Sequence, residues 1–384
     1  MYNKEQLNDL YERIVSEIDI SDTLFESAVQ EYIDMGNWID KKTPEYKVTV
    51  YAQGSFALGT VIKPLTDTDD YDLDLVCEFD TVYGVSAEKL KCDIVKPLLE
   101  SYKKINGEIE EKRRCWHVEY ESLPNFHMDI IPAVNHSNFI NITDRQDDNT
   151  YEYIGSNPKG YIDWFDRKKA ERRNILLERF KNERIKTILC SADIEEIKEY
   201  QLKTPLQKAI QILKRHRDIM FENDENNNQP ISIIITTIAA DLYKNEDNIV
   251  DTLNNFFENA ETYIKQRMIG MEYHIDNPSY TGPDVENFAD KWNSHPERAS
   301  VFFSWLKKAK ADLVDPRLYS LVRTEMAGNL RQALGVSTTE RVFGKIAKEE
   351  RMAIENQTKK IVTSTGEISE SGSISIPRSH HYGK

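Results

Sequence analysis

Asp72 and Asp74, with a third carboxylate, Asp129, in the run Phe126-His127-Met128-Asp129-Ile130-Ile131, are the residues best placed to do chemistry in this chain. Successive strand side chains point to opposite faces, so Asp72 and Asp74 share a face while Tyr71, Leu73 and Leu75 point the other way. On the later run His127 and Asp129 share a face, with Met128 and Ile130 behind them. Three carboxylates on one side of adjacent strands repel one another unless cations sit among them. Mg²⁺ or Mn²⁺, hard ions that prefer oxygen ligands and bound phosphate, are the fitting guests. With two ions, one activates an attacking hydroxyl and the other stabilises the leaving oxygen. Asp129 would then be placed to accept the hydroxyl's proton. Taken alone, Asp-x-Asp is short and common, and strand-end aspartates facing water would look the same.

The stretch upstream argues against that plain reading. Gly54-Ser55 follows Val48–Ala52 at an expected strand-to-helix turn, where glycine admits close backbone approach and the serine hydroxyl can donate to phosphate. A phosphate cradle followed by converging carboxylates is equipment for metal-dependent nucleotidyl transfer, so an enzyme is expected. Gly54 and Gly59 have the spacing of a Walker A loop, but Thr60 stands where the lysine must be, so this is no P-loop. Further along, Gln207, Gln211, Lys214 and Asp218 form a polar stripe opposite the packed face of an expected helix, from which Lys214 can reach β- and γ-phosphates, although taken alone an exposed helix lysine fits the pattern too. Ser232, just after Pro230, combines a hydroxyl with helix-start donors, although a plain helix-start serine fits the pattern too. His127 reads as a structural histidine or a donor behind the metals. Tyr161 and Trp164 read as packing residues.

Strands at Val48–Ala52, Tyr71–Phe79, Cys115–Tyr120 and Phe126–Ile131, the last two joined by a turn at Glu121–Asn125, imply an α+β fold built on a mixed sheet. A helix is expected over Ala87–Tyr102. From about residue 200 the pattern is helical: Leu206, Ile210, Leu213 and Met220 mark one face, and Ile233–Ala240 is apolar nearly all round. Further helices are expected at 247–268, 297–313 and 316–355, the last broken near Gly328 or Gly335. The division is an N-terminal helix over 1–40 bracing two lobes, a core over 41–200 whose part from 137 onward is a charged connector, a helical lobe over 201–355, and a flexible tail over 356–384.

Composition narrows the partners. The 384 residues carry a net charge of −15, 39% hydrophobic content, a pI of about 5.2 and a mean hydropathy of −0.61. Binding long nucleic acid normally needs a basic surface, so long polynucleotide is not expected as the main partner. Of the basic runs Lys112-Arg113-Arg114, Arg167-Lys168-Lys169 and Lys214-Arg215-His216-Arg217, the first two read as solvated helix faces. No apolar run approaches the roughly 20 residues of a membrane helix. With a polar, acidic N-terminal stretch, no membrane association and a cytoplasmic address are expected. Cys77, Cys92, Cys115 and Cys190 are scattered and read as reduced.

Gly54-Ser55, Asp72-Leu73-Asp74 and Asp129 together resemble the nucleotidyltransferase superfamily that includes poly(A) polymerases and oligoadenylate synthases. Gln53–Pro64, Asp69–Leu75, Asn157–Phe165, Leu206–Phe221 and Pro230–Ala240 are similar to the bacterial CD-NTases, relatives of cyclic GMP-AMP synthase in CBASS anti-phage operons. The resemblance covers about residues 50–350. It implies a two-lobed, polymerase-β-like fold with the nucleotide site in the cleft. It also implies synthesis of cyclic di- or oligonucleotides from NTPs, ATP and GTP favoured, with release of pyrophosphate. A purine-containing cyclic dinucleotide is the expected product. By position, Gly54 and Ser55 hold phosphate, Asp72, Asp74 and Asp129 hold two Mg²⁺, and Lys214 and Ser232 contact the donor triphosphate. The tail is a candidate docking segment for a CBASS accessory protein, although the Gly383-Lys384 ending departs from the small-residue terminus used for conjugation. A linear, template-independent polymerase such as an RNA-tailing enzyme, and a non-catalytic nucleotide-binding module, are the alternatives.

Overall fold

The computed structural model describes residues 2–66, 71–80, 84–102, 109–119, 126–188, 202–224, 226, 228–282, 284–356, 360–361 and 368–369. The N-terminal region forms two helices rather than one. In α1 (Lys4–Ile18), Asn3 and Gln6 satisfy each other's backbone N–H in a capping box, and Leu7, Leu10, Tyr11, Ile14 and Ile18 are buried. Extended backbone at Asp19 and Ser21 ends α1, and the Ser21 side chain caps α2 (Asp22–Lys42). The break sends the two helices to different cores. The apolar face of α1 packs with the helical lobe, whereas Ala28, Met35 and Ile39 of α2 pack under the sheet.

Strand β1 (Val48–Ala52) runs into the single-turn helix α3 (Gly54–Leu58) and is followed by β2 (Tyr71–Phe79). The helix expected over 87–102 is π-helical at Lys89–Val95 before α4 (Lys96–Ser101). Next come β3 (Glu110–Glu111), β4 (Trp116–Glu119) and β5 (Phe126–His136). Residues 137–188 are not a mere charged connector. They carry β6 (Phe139–Arg145), β7 (Tyr151–Ser156) and the 31-residue helix α5 (Pro158–Ile188). Helix α5 buries Tyr161, Trp164 and Phe165 at its start, as the packing reading of the two former residues expects, and its sequence beyond has little apolar periodicity.

The sheet order is β1-β2-β5-β4-β3, with β6 joining the far half of β5 and β7 pairing β6. Among the described residues only β2 and β5 run parallel; the other pairs are antiparallel, so the sheet is mixed. Its register places Asp74 beside Asp129 and Asp72 beside His127, while β4 places His117 against Asp129.

The helical lobe comprises α6 (Pro205–Met220), α7 (Ser232–Leu242), α8 (Ile249–Gln266), α9 (Asp290–Ser294), α10 (Pro296–Leu313), α11 (Arg323–Leu334) and α12 (Val336–Glu355). The break in the last stretch falls at Gly335, whose φ of 96° suits glycine, and Gly328 lies inside α11. A two-stranded pairing of β8 (Lys360–Ile361) with β9 (Ile368–Ser369) is the described part of the region expected as a flexible tail. The turn at Glu121–Asn125, the acidic run Asp67–Asp70, residues 189–201 and the rest of the tail lie outside the described residues.

Helix α6 joins the lobes. Its stripe Gln207, Gln211 and Lys214 is buried, not solvent-facing, and lies against the loop that follows α3. Gln207 Nε2 donates to the Leu58 carbonyl (2.9 Å), Lys214 Nζ to Thr60 (2.9 Å) and Gln211 Nε2 to Val61 (2.7 Å). Arg215 donates to the Lys63 carbonyl. Replacing Gln211 by Leu would orphan a buried carbonyl and is expected to cost about 1–3 kcal/mol, read by urea denaturation. An unchanged unfolding midpoint would show that the clamp contributes nothing to stability.

Candidate active site

The seven residues singled out in the sequence, Gly54, Ser55, Asp72, Asp74, Asp129, Lys214 and Ser232, line one cavity of about 500 Å³ between the sheet and α6–α7. Two features fix the Gly54-Ser55 turn. The Gln53 N–H donates to the Asp74 carbonyl (2.9 Å), tying the turn to the carboxylate strand. Gly54 has φ of 61°, and a Cβ there would collide with the Asp74 carboxylate. Only glycine meets both demands. Gly59, with φ of 67°, does the same where Gln207 closes on the loop: a Cβ there would meet Nε2 of Gln207 at 2.6 Å.

The carboxylates face strong mutual repulsion. Asp74 is pushed up to about 7, first by withdrawal from solvent and then by the charges of Asp129 and Asp72, against the pull of Lys214 and His127. A divalent cation relieves that repulsion, and three oxygen-donor carboxylates in a cleft are a fitting donor set for it. Among the described residues no three acidic, histidine or cysteine side chains already converge into a closed ligand set. Two of the carboxylates instead meet imidazoles. His127 Nε2 bonds to Asp72, and His117 Nδ1 lies 2.7 Å from Asp129 Oδ1. The two rings contact each other at 4.1 Å between centroids. His127 is thus a partner of a carboxylate. His117 was missed, because nothing before the β4–β5 register reveals that it faces Asp129.

The side of the cavity formed by α6 is cationic. Burial lowers Lys214 to about 8, and Arg217 adds to this while Asp218, Asp74 and Asp72 oppose it. Arg217, legible in the sequence only as part of a basic run, also lines the cavity. It donates to the Ser232 hydroxyl (2.6 Å) and to the Pro230 carbonyl (3.1 Å), and is held by Asp218. Ser232 is the first residue of α7, whose N-terminus has no side-chain cap, so its leading N–H groups are available to an anion. The other two basic runs are engaged locally. Arg113 pairs bidentately with Asp144 (2.6 and 2.7 Å), Lys168 with Asp241 (2.9 Å) and Lys169 with Asp166 (2.8 Å). Cys77, Cys92 and Cys115 are free thiols, and Cys190 lies outside the described residues.

A glycine-serine turn, carboxylates on parallel neighbouring strands and a helical lobe across the cleft are the arrangement of a nucleotidyltransferase. The match to known proteins is narrower. Residues 5–169 match the Second Messenger Oligonucleotide or Dinucleotide Synthetase domain. The chain is 30% identical over 315 residues to a c-di-GMP synthase of Roseivirga ehrenbergii, covering 79% of this chain and 77% of that protein. It is 22% identical over 308 residues to the cyclic dinucleotide synthase CdnG of Bradyrhizobium diazoefficiens, covering 75% of this chain and 70% of that protein. The structure of that CdnG in complex with GTP superposes with a TM-score of 0.70 at 19% identity, over 89% of this chain and 99% of that one. E. coli MS115-1 CdnC, solved as a complex with HORMA-deltaN, superposes with a TM-score of 0.60 at 13% identity, over 86% and 97%. This chain belongs to the bacterial CD-NTase family of nucleotidyltransferases. Among the described residues no helix is long and apolar enough to cross a membrane.

Lys214 is charged below about pH 8 and neutral above it. A bound triphosphate favours the charged form, so nucleotide affinity should be full below that pH. It should fall by up to about tenfold per unit as pH rises past it. Nucleotide binding titrated from about pH 7 to about pH 9.5 checks this. Lys214→Met should bind weakly at pH 7 and show a nearly flat profile, whereas an equally flat wild-type profile would remove Lys214 from the phosphate site.

Proposed function

We propose that this chain condenses nucleoside triphosphates into a guanine-containing cyclic dinucleotide with release of pyrophosphate. The observation that carries the reading is the single cavity in which Gly54-Ser55, the three aspartates, Lys214 and Ser232 meet. The c-di-GMP synthase relative and the GTP complex of CdnG favour guanine over the broader purine expectation. Gly54 and Ser55 hold the donor's phosphates through backbone and hydroxyl donors. Lys214 neutralises the β- and γ-phosphates from the helical lobe, and Ser232 with the open start of α7 takes the remaining oxygens. Asp72, Asp74 and Asp129 would hold Mg²⁺, two ions by the superfamily pattern, with Mn²⁺ as a substitute. When bound, the metal supplies the positive charge that favours the attacking alkoxide and the departing pyrophosphate oxygen.

In each of the two transfers a ribose hydroxyl oxygen of one nucleotide attacks the α-phosphorus of the other. The bond from that phosphorus to the bridging oxygen of pyrophosphate breaks, and Asp129 takes the hydroxyl proton. The second transfer closes the ring. The net charge of −15 suits small substrates rather than a polynucleotide template. The role in anti-phage defence rests on the family resemblance. The CdnC complex with HORMA-deltaN makes an accessory protein a candidate partner, with residues 356–384 as its docking segment.

The test is incubation with all four NTPs and Mg²⁺ or Mn²⁺, phosphatase treatment and mass spectrometry, beside an Asp72→Asn/Asp74→Asn control. A phosphatase-resistant cyclic guanine dinucleotide absent from the control is the expected result. Linear products would instead make the chain a template-independent polymerase.

A further inference from the structure

Lys214 and Arg217, three residues apart on α6, both line the catalytic cavity, yet they are held in different ways. Lys214 Nζ reaches back to the Thr60 carbonyl (2.9 Å) on the sheet lobe. Arg217 is tied within the helical lobe. Its Nε and Nη2 both donate to Asp218 Oδ1 (2.8 and 2.5 Å), and Nη1 donates to the Pro230 carbonyl (3.1 Å) and the Ser232 hydroxyl (2.6 Å). Those bonds use four of the five guanidinium donors, and the adjoining carboxylate offsets much of the charge. Arg217 is therefore less a free cation than a strut from α6 to the start of α7.

The bond to Ser232 has a chemical consequence. A hydroxyl carries one hydrogen and two lone pairs. With Arg217 donating to its oxygen, the Ser232 hydrogen must point elsewhere, and among the described residues it has no acceptor. A cationic donor on the oxygen also polarises the O–H and strengthens it as a donor in its turn. Ser232 lines the cavity at the uncapped start of α7, so this hydrogen is offered where an anion can accept it.

We infer that Arg217 is a positioning residue that fixes Ser232 as a donor to the terminal phosphate, so that the cleft takes nucleoside triphosphates in preference to diphosphates. The inference rests on the proposed placement of the triphosphate in this cavity. Lys214 is tied through Thr60 to the loop that follows Gly54-Ser55 and α3. Arg217, with Ser232, stands about 4.5 Å further along the α6 axis. A diphosphate held at Gly54-Ser55 and Lys214 stops short of Ser232, whereas a triphosphate reaches it.

The test is calorimetry with Mg²⁺ and either a non-hydrolysable GTP analogue or GDP, on the wild type, Ser232→Ala, Arg217→Gln and the double variant. The wild type should bind the triphosphate analogue more tightly than GDP. Each single variant should weaken the analogue about tenfold or more and GDP about twofold or less. The double variant should be little weaker than Arg217→Gln alone, because both changes remove the same donor. Arg217→Lys, whose single ammonium cannot span Asp218, Pro230 and Ser232 together, should recover only part of the loss. Should Arg217→Gln fail to fold, the same cycle with Arg217→Lys and Ser232→Ala reads the coupling. A purely structural role would weaken both nucleotides alike, and a direct contact of the guanidinium with phosphate would make the two losses multiply. Either result, full recovery by Arg217→Lys, or a wild type without preference for the triphosphate overturns the inference while the proposed reaction stands. If the wild type makes no cyclic product, the proposed reaction fails, and the binding cycle still decides the role of Arg217.

Discussion

The clamp of α6 on the loop after α3 is the constraint on which the rest of the site depends. Gln207, Lys214 and Gln211 donate to the carbonyls of Leu58, Thr60 and Val61, three acceptors that no regular element satisfies. Buried peptide carbonyls must find donors, so a polar helix face is needed here where an apolar one would serve elsewhere. The same bonds fix the distance between Gly54-Ser55 on one lobe and Lys214 on the other. Gly59 makes the approach of Gln207 feasible, and Gly54 does the same for Asp74 on the opposite side of the turn. A single short loop is therefore held from both lobes, and Gly54-Ser55 and Lys214 inherit their relative geometry from it.

Electrostatics complements this arrangement. The cleft holds opposed groups that are each poorly stable alone: Asp74 raised to about 7 by burial and then by its like-charged neighbours, and Lys214 lowered to about 8 by burial beside Arg217. Cations relieve the first and a triphosphate the second, so a metal–nucleotide complex satisfies both together. His117 and His127, bonded to Asp129 and Asp72, keep the outer carboxylates oriented toward the cleft. The acidic surface is no obstacle, because the local field is set by residues within the cleft rather than by net charge.

Much of this was legible in the sequence because it rests on short-range patterns. Alternation along Tyr71–Leu75 gave the shared face of Asp72 and Asp74, and the Pro205 and Pro230 signals, with apolar periodicity, located α6 and α7 closely. Failures occurred where long-range contacts decide. Helix α5 lacks an apolar stripe for most of its length, so its sequence read as connector. The stripe on α6 read as lying opposite the packed face because polar side chains that serve buried carbonyls and those that do not are identical in sequence. His117 could be found only from its register with Asp129.

The claim that one clamped cleft brings carboxylates and phosphate donors onto the same nucleotide is tested most directly by a crystal grown with Mn²⁺ and a non-hydrolysable GTP analogue. Anomalous scattering should place manganese among Asp72, Asp74 and Asp129. The triphosphate should lie against Gly54-Ser55 and within hydrogen-bond reach of Lys214. Manganese elsewhere, or a triphosphate bound away from the Gly54-Ser55 turn, would contradict this account of the site.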